Sequence, residues 1–289
     1  MSEWITNFKA RCSGIYKIMS NSRANPQITE KQTLRLIELE AKGDALTDKQ
    51  QLEIAELLIK KQNATKVILS DTCIEYLMEV YAWETSGKVS IKKEMEIDQM
   101  RNGKLVEEDS ITLLSIVDGL LYEKNDERVY NDYLSGEPDV FIGESVMSAE
   151  KITDIKSCFD YPSFLKKINT DIDPGWEEQV QGYCDITGAK IGEIAHCLVN
   201  THPILIGDMK VRLMRKMDCA TEESPEFKEK WSTIYRSMIF DDILHHKRVF
   251  KVPVEPFSEI KRQQVYDRVK VCREWLFQFD EAYQKLNLS

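Results

Sequence analysis

The sequence predicts an α/β (α+β) fold, a mixed central sheet flanked by helices, with residues 1–90 as an N-terminal helical extension and residues 91–289 as the core. Three observations lead there. Helix-start signatures and apolar residues at helical spacing fill the N-terminal stretch. Residues 128–157 are rich in β-branched, aromatic and turn residues and read as a strand meander. Beyond them, helical patterns alternate with the apolar runs Glu193–Val199 and Val249–Val254, the pattern of helices laid on a sheet.

In chain order, Thr29-Glu-Lys-Gln32 and Thr47-Asp-Lys-Gln50 each fit a capping box, in which a threonine hydroxyl and a glutamine side chain satisfy helix-start amides reciprocally. Gly43 and Asp44 fall between them, so a helical hairpin is expected. A helix over Asp71–Glu84 follows, with Cys73, Ile74, Leu77, Met78 and Tyr81 near helical spacing. Gly87 and the charged run Lys92–Arg101 break the apolar pattern. Ile111, Leu114, Ile116 and Val117 then predict a helix from Glu107 to about Leu121. After the meander, Asp173-Pro-Gly-Trp-Glu opens another helix, with Asp173 as cap and Pro174 at the first helical position, where a missing N–H costs nothing; Gly188 closes it. In the last helix Val265, Val269, Cys272, Leu276, Phe279 and Tyr283 recur at spacings of three and four and mark a buried stripe.

The chain of 289 residues, 42% apolar and 30% charged, has the composition of a globular protein with a sizeable core. It holds no run of about 18 uncharged apolar residues, and MSEWITNFKARC lacks the apolar stretch of a secretory leader, so a cytoplasmic protein without membrane association is expected. Seven scattered cysteines, none in a CxxC pair, predict reduced and mostly buried thiols and exclude a zinc ribbon. The adjacent His245 and His246 would point to opposite faces of a strand and not converge on one metal. A net charge of −10 opposes binding of nucleic acid by the chain as a whole. Met209–Lys216 nevertheless holds four bases without an acid, and Lys261–Arg273 five bases against one acid. These are either solvated helix faces or a phosphate-tracking surface.

The stretch GEPDVFIGESVMSAEKITDIKS, residues 136–157, sets Asp139, Asp154 and Lys156 where a small sheet should be apolar. Alternation along a strand puts Asp154 and Lys156 on one side, roughly 6.6 Å apart, and Ile155 on the other. A strand starting at Pro138-Asp139 can bring a second carboxylate alongside. Two buried acids repel unless a cation neutralises them, and oxygen donors without His or Cys suit Mg²⁺ or Mn²⁺. Lys156, two residues from such a ligand, is placed to orient or help deprotonate an attacking water. On a half-exposed strand the same triplet would instead be a surface ion pair worth under about 1 kcal/mol. Upstream, Gly103-Lys-Leu-Val-Glu107 sets an acid at a helix start, with Glu108 adjacent; downstream, Gln179 and Tyr183 share a helix face at i, i+4.

The order G-x-x-x-E, G-x-P-D, D-x-K, Q-x-x-x-Y, over residues 103–188, resembles the PD-(D/E)xK nuclease superfamily. Within it, the resemblance is to phage recombination exonucleases of the lambda-exonuclease or YqaJ-like viral recombinase type. It implies a restriction-endonuclease-like sheet and a Mg²⁺-dependent (or Mn²⁺-dependent) exonuclease that resects double-stranded DNA ends in phage-type recombination. It also implies that Glu107, Asp139 and Asp154, with the backbone carbonyl of Ile155, hold the metal. Lys156 would be the catalytic lysine, and Gln179 and Tyr183 would lie on the helix against the active site and DNA strand. This chain carries Asp154 where lambda-type enzymes carry Glu, one methylene longer. A single-strand annealing protein and a homo-oligomer are partners consistent with that type. A restriction-type or structure-selective endonuclease, and a catalytically silent DNA- or partner-binding scaffold, are the alternative expectations.

Overall fold

The computed structural model describes residues 3–21, 28–43, 46–63, 68–91, 98–218 and 221–286. Asp44, residues 92–97 of the charged run, and Cys219 lie outside the described residues. In chain order the elements are α1 (Glu3–Thr6), β1 (Ala10–Arg11), α2 (Ile15–Ile18), α3 (Glu30–Glu40), α4 (Asp48–Asn63), α5 (Asp71–Ser86), α6 (Asp98–Leu105), α7 (Glu107–Asp118), β2 (Val129–Tyr130), β3 (Leu134–Gly136), β4 (Val140–Ile142), β5 (Lys151–Cys158), α8 (Tyr161–Ile168), α9 (Pro174–Thr187), β6 (Ile191–Leu198), α10 (Pro203–Lys216), α11 (Pro225–Arg236), β7 (Val249–Val254) and α12 (Glu259–Leu286). The fold is mixed α/β, as the sequence predicts.

Two compact units emerge. One comprises Met1–Val89, Tyr130–Ser135 and Phe257–Ser289; the other comprises Ser90–Val129 and Gly136–Pro256. A boundary near residue 90 was expected, but α12 groups with the N-terminal helices and not with the strand core.

In the first unit both capping boxes form. Thr29 Oγ1 accepts the Gln32 N–H at 3.3 Å while Gln32 Oε1 accepts the Thr29 N–H at 3.2 Å, and Thr47 and Gln50 repeat the exchange at 3.4 and 3.1 Å. Leu36, Leu39 and Leu57 close the α3–α4 hairpin, with Ile28, Leu46 and Ile54 beside them. Ala10–Arg11, within a stretch expected to be helical, instead pairs in parallel with Leu134–Ser135. On α12, Val265, Val269, Cys272 and Leu276 are buried as the stripe predicts, but Tyr283 is 46% exposed, so the stripe fades one turn before the pattern does. Two of the bases in the basic segment of this helix are tied to distant backbone. Arg268 is buried against the Ser20 carbonyl and Asn21, Arg273 donates to the Phe8 and Asp132 carbonyls, and Lys270 and Arg262 pair with Asp267 and Glu259.

The second unit is built on a four-stranded sheet in the order β4-β5-β6-β7, with β5 and β6 parallel and both outer pairings antiparallel. The parallel pair requires a crossover, which α8 and α9 supply. On one face Ile155, Ala195 and Cys197 meet Val106, Leu113 and Leu114 of the α6–α7 region, and Ser157 exchanges a 2.8 Å hydrogen bond with Ser110. On the other, Phe164 of α8 packs on Cys158 and Leu198. There α9 comes so close that a Cβ on Gly192 would lie 2.7 Å from Val180 and 2.8 Å from the Val254 carbonyl. Helix α9 begins as predicted, with Asp173 capping the Gly175 and Trp176 amides and Gly188 at φ 78° ending it.

Part of the charged run expected to break the pattern is helical. Asp98 in the first turn and Lys104 in the last of α6 complement its dipole, and buried Asn102 accepts the His202 N–H at 3.0 Å. His245 and His246 sit on an exposed 3-10 turn and not on a strand. In the basic run on α10, Lys210 pairs with Glu222 and Arg212 with Asp98 at 2.7 Å. Cys12, Cys73, Cys158, Cys184, Cys197 and Cys272 are all buried, and none forms a disulfide among the described residues. Among the described residues no helix is long and apolar enough to cross a membrane.

Candidate active site

The site forms where β4 begins beside the middle of β5. The antiparallel register, Val140 opposite Thr153 and Ile142 opposite Lys151, sets Pro138 opposite Ile155 when extended by two residues. A proline has no N–H to offer a neighbouring strand. The ladder therefore stops there, and the Ile155 N–H is taken instead by Asp139 Oδ2 at 2.6 Å. By strand geometry the Ile155 carbonyl is directed to the same edge, opposite a residue that cannot donate to it. Asn125, which sequence reasoning missed, fixes the start of β4. Its Nδ2 donates to the Pro138 carbonyl at 3.0 Å and its N–H to the Asp139 carbonyl at 2.8 Å.

Asp154 and Lys156 share one face of β5, as alternation requires. The Asp154 side chain is fully buried and Lys156 is 22% exposed, with Lys156 Nζ 2.7 Å from Asp154 Oδ2, so the pair is internal and the surface reading does not apply. Gln179 joins the group. Its Nε2 donates to Asp154 Oδ1 at 3.1 Å and to the Tyr183 hydroxyl at 2.7 Å, and its Oε1 accepts from Lys156 Nζ at 3.5 Å. Asp139, Asp154, Lys156, Gln179 and Tyr183 thus converge.

Glu107 lies close enough to add to the negative field at Asp139, and its Oε2 pairs with Lys124 Nζ at 3.0 Å. Among the described residues no group of three or more His, Cys, Asp or Glu side chains has the spacing of a metal centre.

The electrostatics are strained. Burial, then the neighbouring Asp154 carboxylate, pushes Asp139 up to about 7, against the lowering effect of the Ile155 amide and Lys156. Burial likewise raises Asp154, opposed by Lys156. Burial works against the Lys156 ammonium too, but the two carboxylates outweigh it and its pKa is raised, so it remains charged. Asp154 Oδ2 is buried and faces the Lys156 ammonium at 2.7 Å. An acid held near neutrality, a fully buried carboxylate and a main-chain carbonyl facing a proline form an all-oxygen donor set that fits a hard divalent cation.

No protein-family model matches the chain, and no curated protein sequence does. Solved structures do share its fold. A phage-related exonuclease from Haemophilus somnus 129PT superposes with a TM-score of 0.59 at 16% identity, covering 96% of this chain and 97% of that one. The alkaline exonuclease LHK-Exo from Laribacter hongkongensis gives 0.55 at 11% identity over 100% and 98% of the two chains. LHK-Exo in complex with dAMP gives 0.54 at 11% identity over 99% and 100%. The chain therefore has the fold of the phage-related and alkaline exonucleases along nearly its whole length.

Proposed function

We propose that this chain is a metal-dependent deoxyribonuclease, an exonuclease that resects double-stranded DNA ends in recombination of the phage type. The observation that carries the reading is the convergence of the buried Asp154 and the half-buried Asp139 carboxylates with the Lys156 ammonium, at a strand edge where Pro138 ends the ladder, in a fold shared with exonucleases. Asp139, Asp154 and the Ile155 carbonyl would hold Mg²⁺ or Mn²⁺. Such an ion, when bound, supplies Lewis-acid stabilisation of charge on the scissile phosphate.

The chain's own residues do the rest. Lys156, charged and tethered between Asp154 and Gln179, donates hydrogen bonds to the attacking water or to a phosphate oxygen. Gln179 holds the relative placement of Lys156 and Asp154, and Tyr183 fixes Gln179. Duplex contacts through phosphate would make the rate fall with rising salt. An annealing protein acting on the exposed strand, and self-association, are the partnerships such a cytoplasmic resection reaction calls for.

The test is digestion of a labelled linear duplex beside a closed circle, with and without Mg²⁺ or Mn²⁺. Expected is metal-dependent loss of the linear DNA alone, abolished in Asp154→Asn and Lys156→Ala. Cutting of the circle would convert the assignment to an endonuclease; no digestion of either would end the nuclease reading.

A further inference from the structure

Two ammonium groups stand at the acids of the site, and they are held very differently. Lys156 pairs with a fully buried carboxylate on β5. Lys124 reaches the site from the loop between α7 and β2. Its Nζ lies 3.0 Å from Glu107 Oε2, with 37% of the lysine side chain and 30% of the glutamate side chain exposed. Removing one partner of a buried pair shifts an equilibrium by more than about a hundredfold, whereas an exposed pair contributes at most about fivefold. Of the two ammonium groups, only Lys124 can be given up at small cost.

The loop that carries Lys124 is anchored on both sides of it. Buried Tyr122 donates its N–H to Ser115 Oγ at 3.1 Å and its hydroxyl to Asp118 Oδ2 at 2.8 Å, both on α7. Buried Asn125 holds the Pro138 and Asp139 carbonyls. The main chain at Lys124 is thus fixed beside Pro138 and Asp139, while its flexible four-carbon stem lets the ammonium swing. Glu108 and Asp126 add to the negative field around Lys124, but the hydrogen bond goes to Glu107. Glu107 in turn adds to the field at Asp139. One carboxylate is therefore shared between a tethered ammonium and the acids that would hold a divalent cation. An ammonium in that position opposes such a cation twice, by occupying the Glu107 oxygen and by repulsion of like charge.

We propose that Lys124 is the exchangeable counter-ion of Glu107: it holds this carboxylate when no divalent cation is bound, and gives it up to the cation, leaving the ammonium to pair with a phosphate of the DNA. The exchange rests on the cation site described above, and the phosphate contact on the nuclease reading. A side chain that competes with the cation and assists the substrate acts on two affinities with opposite signs, which a plain surface ion pair does not.

Calorimetric titration of the intact chain with Mn²⁺, in the absence of DNA, tests the exchange. Lys124→Met, which keeps the length and deletes the charge, is expected to bind Mn²⁺ about threefold or more tightly than the unaltered chain. Lys124→Arg, which keeps the charge, is expected to match the unaltered chain. In a Glu107→Gln background the same Lys124→Met change is expected to alter Mn²⁺ affinity by less than about twofold, because the shared carboxylate is gone. Unchanged or weaker Mn²⁺ binding by Lys124→Met, or an equal gain in the Glu107→Gln background, would each overturn the exchange. With a linear duplex at saturating Mn²⁺, Lys124→Met is expected to raise KM about threefold or more and to lower the slope of log KM against log salt by about 1. An unchanged KM would overturn the phosphate contact. Tighter Mn²⁺ binding by Lys124→Met of a chain that digests no DNA would sink the nuclease reading and keep the exchange. Mn²⁺-dependent digestion without that gain would do the reverse, and no Mn²⁺ uptake by any variant would overturn both.

Discussion

Asp139 Oδ2 accepts the main-chain N–H of Ile155 at 2.6 Å, so the first acid of the site replaces the strand partner that Pro138 cannot be. The bond fixes the carboxylate beside Asp154, where burial and like charge raise its pKa to about 7. The folded value lies above the unfolded value of roughly 3.9. Ionising Asp139 therefore erodes stability as pH climbs from about 4 through 7, and the loss is complete above that. Asp139→Asn keeps an acceptor for Ile155. It is expected to abolish hydrolysis yet stabilise the protein in EDTA by on the order of 2 kcal/mol at pH 8, with little gain at pH 4. Denaturant titrations at the two pH values check this, and equal stability at pH 8 would refute it.

Lys156 neutralises a fully buried carboxylate. Removing it alone, as Lys156→Met, is expected to cost about 3 kcal/mol, because Asp154 is then buried without a counter-charge. The double variant Asp154→Asn/Lys156→Met should recover most of that loss while remaining inactive. If the two losses simply add, the pair is not coupled.

Gln179 touches Asp154, Lys156 and Tyr183, which on the nuclease reading gives it a positioning role. Gln179→Ala is expected to lower kcat about 10- to 100-fold with KM nearly unchanged, the range seen when an outer-shell partner is lost. Tyr183→Phe, which deletes only the hydroxyl, should do the same more weakly. A change confined to KM would point to a DNA contact instead.

His196 is held neutral. Burial, then the Lys167 and Lys156 charges, lower its pKa to about 4, below its ordinary 6.5. The unfolded chain thus takes up a proton between pH 6.5 and 4 that the folded chain refuses, and stability falls as pH drops through that window. His196→Phe is expected to flatten this part of the pH–stability curve. An unchanged slope would mean that another group sets it.

Gly192 has no room for a side chain, since a Cβ would meet both Val180 and the Val254 backbone. Gly192→Ala is expected to destabilise by about 1–3 kcal/mol, the range for overpacking a filled interior, and to loosen α9 against the sheet. Melting curves and the activity of the purified variant report the two effects separately.

What could be read from the sequence is what local chemistry dictates. Thr29, Thr47 and Asp173 announce helix starts because a cap bonds amides two or three residues away, and the structure shows all three. Asp139, Asp154 and Lys156 stand out because charge on core strands needs a reason, and Gln179 follows from its face on α9. Hidden was whatever depends on distant segments. The pairing of Ala10 with Leu134, the clamp of Asn125 on Pro138 and the burial of Arg268 carry no periodicity. Glu107 has an acid's position at a helix start, but no spacing rule reveals its ion pair with Lys124. The bases of α12 stay open between a solvated face and a phosphate-tracking surface in the sequence, because composition cannot show that main-chain carbonyls take up two of its arginines.

One unit takes its residues from both ends of the chain and from Tyr130–Ser135 between them. During synthesis its helices α1–α5 are made well before Phe257–Ser289, so their apolar faces are fully covered only once that segment has followed. The nuclease-like sheet, whose strands all lie upstream of that tail, can close earlier. Translation would therefore finish the sheet-bearing unit before the discontinuous one, and a nonsense codon near residue 257 would spare every strand of the sheet while leaving helices α1–α5 without their cover.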